Sequence, residues 1–363
     1  MVNKKIIVSK DDIRYNISVL KKEMKTKIIA VLKGDGYGLG LVNMANLLRD
    51  CKIDFFAVSE VNEALKLRKE GFLSETILLL TPSSKEEEVR ELIKNNITLT
   101  LDSYENGELY SSVCEDLKKT VDVHIKIDTG FGRFGFSYHN KEEIVKALRL
   151  KNLNYMGIYS HFSSAFEKKY KITKKQFENF LSLISYLETF DFKFQIKHIA
   201  NSSAALKFEN TRLDAVRLGS AILGRIPVAN TLNLRKIAYL ESEVLSVKTL
   251  KADSNIGYGN TYKTKGITDI AIIPVGYKDG FMTEKSQDTF RIRDVLRAVY
   301  NNVKSFGKKN YVNINGTNYK IVGRVGMYNT VADVTGGNVK PLDKVTLNIN
   351  PLLANSNITR EYR

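Results

Sequence analysis

The 363-residue chain has only two cysteines, Cys51 and Cys114. They show no metal-ligand spacing and are too few for a disulfide framework, so both read as small apolar residues in a reducing compartment. No apolar run approaches membrane-span length, the longest being stretches such as 76–81. The first ten residues hold an Ile-Ile-Val run that is too short for a signal peptide. These absences set the expectation of a soluble, cytoplasmic protein with no membrane partner. Acidic residues are also in deficit, with 56 Lys+Arg against 40 Asp+Glu, a formal charge of +16. The surplus is scattered singly and in pairs, usually beside acids, and no zinc-finger, RNP-type or basic-zipper pattern occurs. It therefore predicts affinity for small anions such as phosphates and carboxylates, not for nucleic acid. No carboxylate–histidine cluster has ligand spacing, so no metal is expected.

What is present is a long alternation. Apolar runs of strand composition fall at 27–33, 54–59, 76–81, 97–101, 121–128, 155–162, 195–200 and 215–218. Segments of helical period lie between most of them, among them 61–69, 85–95, 141–150 and 173–190. Eight strands alternating with helices over this length predict an α/β fold, a (β/α)8 barrel of TIM type. An open doubly wound sheet is the competing arrangement. It would gather a G-x-G-x-x-G fingerprint at one crossover, and none follows a strand here. From about residue 235 the pattern changes to short strands and turn clusters such as Asn315-Gly316, with one helical segment at 293–299. The expected division is a barrel over 9–234 and a mainly β domain over 235–363 that includes the strand at 1–8.

Barrels of this kind carry their chemistry at the C-terminal ends of the strands. Those ends hold Lys33, Lys126, Asp128, His161, Ser163, His198, Asn201, Ser202 and Arg217. Each has an ordinary structural reading by itself; collected around one mouth, they read as a site. Lys33 closes the first run and faces four glycines, Gly34, Gly36, Gly38 and Gly40, which suits a nucleophilic lysine with room before it. After strands seven and eight come Asn201-Ser202-Ser203-Ala204 and Gly219-Ser220-Ala221-Ile222, small residues whose N–H groups and hydroxyls can approach a phosphate. A lysine at one strand end and a phosphate cradle at two others suggest pyridoxal 5'-phosphate on a Schiff-base lysine.

The segments Ala30-Val31-Leu32-Lys33-Gly34-Asp35-Gly36-Tyr37-Gly38 and His124-Ile125-Lys126-Ile127-Asp128-Thr129-Gly130-Phe131-Gly132-Arg133 resemble two signatures of the alanine racemases. So do Ser160-His161-Phe162, His198-Ile199-Ala200-Asn201-Ser202, Val216-Arg217-Leu218-Gly219, Ile256-Gly257-Tyr258-Gly259, Pro274-Val275-Gly276-Tyr277 and Val322-Gly323-Arg324-Val325-Gly326-Met327, in that order. The resemblance covers nearly the whole chain. It implies a pyridoxal-phosphate racemase interconverting L- and D-alanine for peptidoglycan, with Lys33 and Tyr258 as the two catalytic bases. Tyr37, His161, Asn201, Ser202, Arg217, Gly219, Ser220 and Tyr277 would hold the cofactor. Arg133, Met327 and Tyr258 would hold the amino-acid substrate, supported by His198 and by Lys126, the lysine that can be carbamylated. It also implies a homodimer whose sites are shared between subunits. Two departures bear on substrate choice: Gly326-Met327-Tyr328 stands where many members read Cys-Met-Asp, and Asn348 falls where a tyrosine is expected. They keep open a serine or broad-specificity racemase. A non-catalytic pyridoxal-phosphate carrier resembles the barrel half alone and leaves the segment with Tyr258 unexplained.

Overall fold

The computed structural model describes residues 3–167, 170–286, 290–305, 307 and 309–363. The chain divides into two units: Lys10–Ile237, and Ala238–Arg363 joined by the residues that precede Lys10.

In the first unit eight parallel strands follow one another around a barrel: Lys27–Val31, Phe55–Val58, Thr76–Leu79, Thr98–Leu101, Val121–Asp128, Leu153–Tyr159, Ile196–His198 and Ala215–Leu218. The eighth pairs with the first, Arg217 opposite Ile29. Between the seventh and eighth the ladder thins to an Asn201–Arg217 bridge, supported by Arg217 N–H donating to Ala200 O at 3.0 Å. The barrel is thus nearly closed. Its strands are apolar on both faces because helices cover the outside while side chains fill the inside. Phe55–Val58 and Thr98–Leu101 are buried at every residue. The outer helices bury one stripe each: Val89, Leu92 and Ile93 on Glu86–Lys94, and Phe177, Phe180, Leu183, Ile184 and Leu187 on Lys171–Glu188. The fifth and sixth strands slip register between Val123 and His124. Gly157 lies against the His124 ring there, where a Cβ would come within 2.4 Å of Nδ1.

The second unit is built on a nine-stranded sheet in the order Ser246–Leu250, Thr268–Ile273, Thr330–Asp333, Thr317–Ile321, Tyr311–Ile314, Lys344–Leu347, Ala238–Glu243, Lys5–Val8 and Thr359–Tyr362. Lys5–Val8 runs antiparallel to Ala238–Glu243 and parallel to Thr359–Tyr362. Several details add to the expectation of short strands and one helix. Thr330–Asp333 and Thr359–Tyr362 are additional strands. The helix expected at 293–299 extends over Ile292–Ser305.

Candidate active site

A cavity of about 280 Å³ opens at the C-terminal ends of the barrel strands. Lys33, Tyr37, Lys126, Arg133, His161, Asn201, Ser202, Arg217, Gly219 and Ser220 all line it, so every barrel residue expected to touch ligand converges on one space. His198 lies behind this lining. Among the other lining residues, the sequence reading gave no site role to Ser59, Thr81 and Tyr159. The first two are polar residues just past short apolar strands, which is the only sequence signal they offer. Tyr159 looked like core, and is buried like core.

Lys33 owes its position to an uncommon backbone. Leu32 N–H still pairs across the sheet to Ala57 O at 2.8 Å. Beyond Lys33 the chain makes a left-handed turn in which Gly34, Asp35, Gly36 and Tyr37 have φ of 66°, 52°, 64° and 58°. Glycine adopts this region freely, whereas Asp35 and Tyr37 each cost roughly 1–2 kcal/mol there. Among the hydrogen bonds that hold the turn are Asp35 N–H to Glu63 Oε1 at 2.9 Å, Leu41 N–H to Asp35 Oδ1 at 2.9 Å, Gly36 N–H to Leu32 O at 2.8 Å and Gly40 N–H to Asp35 O at 2.9 Å. Glu63 Oε2 also accepts the N–H groups of Ser59 and Glu60, at 3.1 and 3.2 Å. One buried carboxylate therefore fastens the turn to the start of the helix Val61–Lys69. The turn directs Tyr37 against Gly219, where a Cβ would lie 2.2 Å from the phenol oxygen.

Arg217 organises the opposite wall. Its Nη1 donates to His198 Nδ1 at 2.8 Å and to His198 O at 3.3 Å. Its Nη2 donates to Ser160 O at 2.7 Å, His161 Nδ1 at 3.0 Å and Ile199 O at 3.2 Å. Because guanidinium has no acceptor, both Nδ1 atoms are acceptors and the protons sit on Nε2. His198 Nε2–H then donates to His124 Nδ1 at 2.8 Å, and the His198 ring stacks on Tyr159 with centroids 4.8 Å apart. Among the described residues the Nε–H of Arg217 has no partner, although Arg217 lines the cavity.

The charges of the site follow from burial among cations. Desolvation, followed by Arg133 and Arg217, lowers the Lys33 amine below the ordinary lysine range, with Glu63 opposing. Burial and then Arg217 and Arg133 push Lys126 far down, and its ammonium position lies 4.2 Å from the Tyr159 ring centroid. His161 and His198 are held well below their usual value by burial and then by Arg217. Burial raises Tyr37 to about 12, leaving its phenol a donor at neutral pH. On the floor, Ser202 Oγ accepts Gly219 N–H at 3.2 Å and Ala221 N–H at 3.3 Å, which leaves its O–H to donate elsewhere. Asn201 caps the helix Ser202–Lys207 by accepting Ala204 N–H at 3.1 Å.

Tyr258, Tyr277 and Met327 belong to the second unit, on adjoining loops. Tyr277 N–H donates to Gly326 O and Lys278 N–H to Met327 O, both at 3.1 Å. Gly257 packs on the backbone of Arg324, and Tyr258 is 77% exposed. The Tyr277 loop is fixed through Asp279, whose carboxylate accepts Gly276 N–H at 3.0 Å and pairs with Lys4 at 2.8 Å.

Comparison with known proteins covers both units. Residues 8–227 match the family model for the alanine racemase N-terminal domain, and residues 237–359 the model for the C-terminal domain. Alanine racemase 1 of Caldanaerobacter subterraneus subsp. tengcongensis is 35% identical over 332 residues, 90% of this chain and 80% of that protein. The solved alanine racemase of Clostridium difficile 630 superposes with a TM-score of 0.84 at 29% identity, covering 100% of this chain and 96% of that one. The crystal structure of alanine racemase from E. faecalis gives 0.80 at 27% identity with full coverage of both chains.

Proposed function

This chain belongs to the alanine racemase family, and from that membership we propose that it interconverts L- and D-alanine with pyridoxal 5'-phosphate held by Lys33. The observation that carries the proposal is the convergence of Lys33 and Arg217 on one cavity. The cofactor fits the residues present. The Ser202 hydroxyl and the protonated Tyr37 phenol, which the absent side chain of Gly219 lets pack close, form a floor of donors for a phosphate. The Arg217 Nε–H, a donor with no partner among the described residues, suits a ring nitrogen that must stay unprotonated because guanidinium does not release its proton. When bound, pyridoxal phosphate supplies an electron sink that acidifies the Cα proton of an attached amino acid.

The chain's own part is proton transfer on two faces. Lys33 Nζ, lowered by burial and by neighbouring cations, can accept the Cα proton on one face at a pH where free lysine is charged. On this reading Tyr258 Oη serves the other face, and Arg133 with the Met327 backbone holds the substrate carboxylate. The assembly is a homodimer in which one subunit contributes Tyr258, Tyr277 and Met327 to the cavity of the other. His161, held neutral by burial, would lie against the cofactor ring, and the burial that lowers Lys126 favours the uncharged amine that carbamylation requires. The product D-alanine serves peptidoglycan synthesis in the cytoplasm.

Borohydride reduction of the holoenzyme followed by peptide mapping tests the assignment: the label is expected on the peptide containing Lys33, and a label elsewhere overturns it. D-alanine formation from L-alanine should fall by at least about a hundredfold in Tyr258→Phe while bound cofactor is retained. An enzyme unaffected by that change would not use Tyr258 as a base. L-serine run in parallel decides substrate breadth.

A further inference from the structure

The helix Ile292–Ser305 carries an apolar stripe that nothing in the described structure covers. Ile292, Val295, Leu296, Val299, Tyr300 and Val303 recur at helical spacing and subtend an arc of roughly 140°. All six are exposed, Ile292 by 81% and Val303 by 68%, and Phe290 just ahead is exposed by 92%. On the opposite side of the helix Asp294 and Ala298 are half-buried. Fourteen residues form a marginal helix in water, and such a stripe stabilises the helix only when something covers it.

The charges indicate what the cover is. Arg293, Arg297 and Lys304 fall together on one flank of the stripe, within roughly 40° of each other around the axis. The helix's one acid, Asp294, turns to the inward side, where Arg291 Nε bonds it at 2.7 Å. A cationic row beside an outward apolar stripe matches a surface with apolar depth and negative heads. A second copy in antiparallel pairing would instead bring two cationic rows together on a chain already at +16. We propose that this helix lies in the surface of an anionic lipid bilayer, apolar stripe down, and holds the enzyme against the membrane. No helix among the described residues is long and apolar enough to cross a membrane; lying in its surface requires neither property. The proposal is independent of the racemase reading.

Sedimentation of the holoenzyme with vesicles tests it. Equimolar phosphatidylglycerol–phosphatidylcholine vesicles should carry the protein down and pure phosphatidylcholine vesicles should not, with binding weakened by salt. Arg293→Gln with Arg297→Gln, which preserves the stripe, should weaken binding roughly fivefold for each cation removed. Leu296→Glu with Val299→Glu should abolish binding at unchanged racemase activity. Because the chain has no tryptophan, Tyr300→Trp installs a single indole, whose emission should shift to the blue on adding anionic vesicles. The proposal is overturned by failure to sediment with anionic vesicles, or by equal sedimentation of the double-glutamate variant. It is also overturned if that variant lowers the oligomeric state in ultracentrifugation and the indole of Tyr300→Trp already emits in the blue without lipid, since a second copy would then be the cover.

Discussion

Glu63 does more for the cavity than its place on an outer helix suggests. Its two oxygens accept three backbone N–H groups, one of them from the left-handed turn behind Lys33. Glutamine has one acceptor oxygen and would set an amide N–H₂ against N–H donors on the other side. Glu63→Gln should therefore destabilise the protein by about 1–3 kcal/mol. It should also weaken retention of pyridoxal phosphate by roughly tenfold, as loss of a supporting hydrogen-bond partner commonly does. Thermal unfolding and equilibrium dialysis read the two effects separately, and a stability loss with unchanged cofactor affinity would limit Glu63 to capping its helix. The sequence did not reveal this role. Lys33 was legible because a charged residue closing an apolar run is conspicuous, whereas Glu63 sits in Val-Asn-Glu-Ala-Leu, an ordinary helical stretch. Its importance comes from a turn whose handedness no local pattern displays, since the four glycines announced only freedom of conformation.

At the level of elements, the barrel was legible because parallel strands covered on both faces leave uninterrupted apolar runs, and the run at 121–128 coincides with Val121–Asp128. The second unit was less so. Thr330–Asp333 and Thr359–Tyr362 are only four residues long, and Thr-Val-Ala-Asp and Thr-Arg-Glu-Tyr carry no apolar run, so each reads as loop until partners supply the ladder. The Val123/His124 register shift was equally invisible, although it has a testable cost. Gly157→Ala would set a methyl 2.4 Å from His124 Nδ1 and displace the ring from His198. Overpacking of this kind should cost about 1–3 kcal/mol in urea unfolding. It should also reduce kcat more than it raises KM, because it disturbs the histidine that accepts from Arg217 and leaves Arg133, proposed to hold the substrate, in place.

Over the whole molecule, three neutral histidines in the barrel make stability pH-dependent. Burial and then Arg217 depress His124 to about 3, and His161 and His198 are lowered for the same reasons. An unfolded histidine titrates near 6.5, so below that pH the unfolded chain binds more protons than the native one. This contribution is complete above about pH 6.5 and is lost as pH falls toward 3. The urea midpoint should thus drop between about pH 7 and pH 4.5, and His124→Asn should narrow the gap by removing one of the three groups. The sheet of the second unit has a different consequence, one of biosynthetic timing. Lys5–Val8 leaves the ribosome before the barrel, yet its two neighbours, Ala238–Glu243 and Thr359–Tyr362, emerge only after the barrel has been made. Until then Lys4, next to that strand, has no seated position from which to grip Asp279 and hold the loop bearing Tyr277. The Lys4–Asp279 pair therefore ties a residue made before the barrel to one made well after it, and the Tyr277 loop gains its anchor only once the chain has returned to its own first strand.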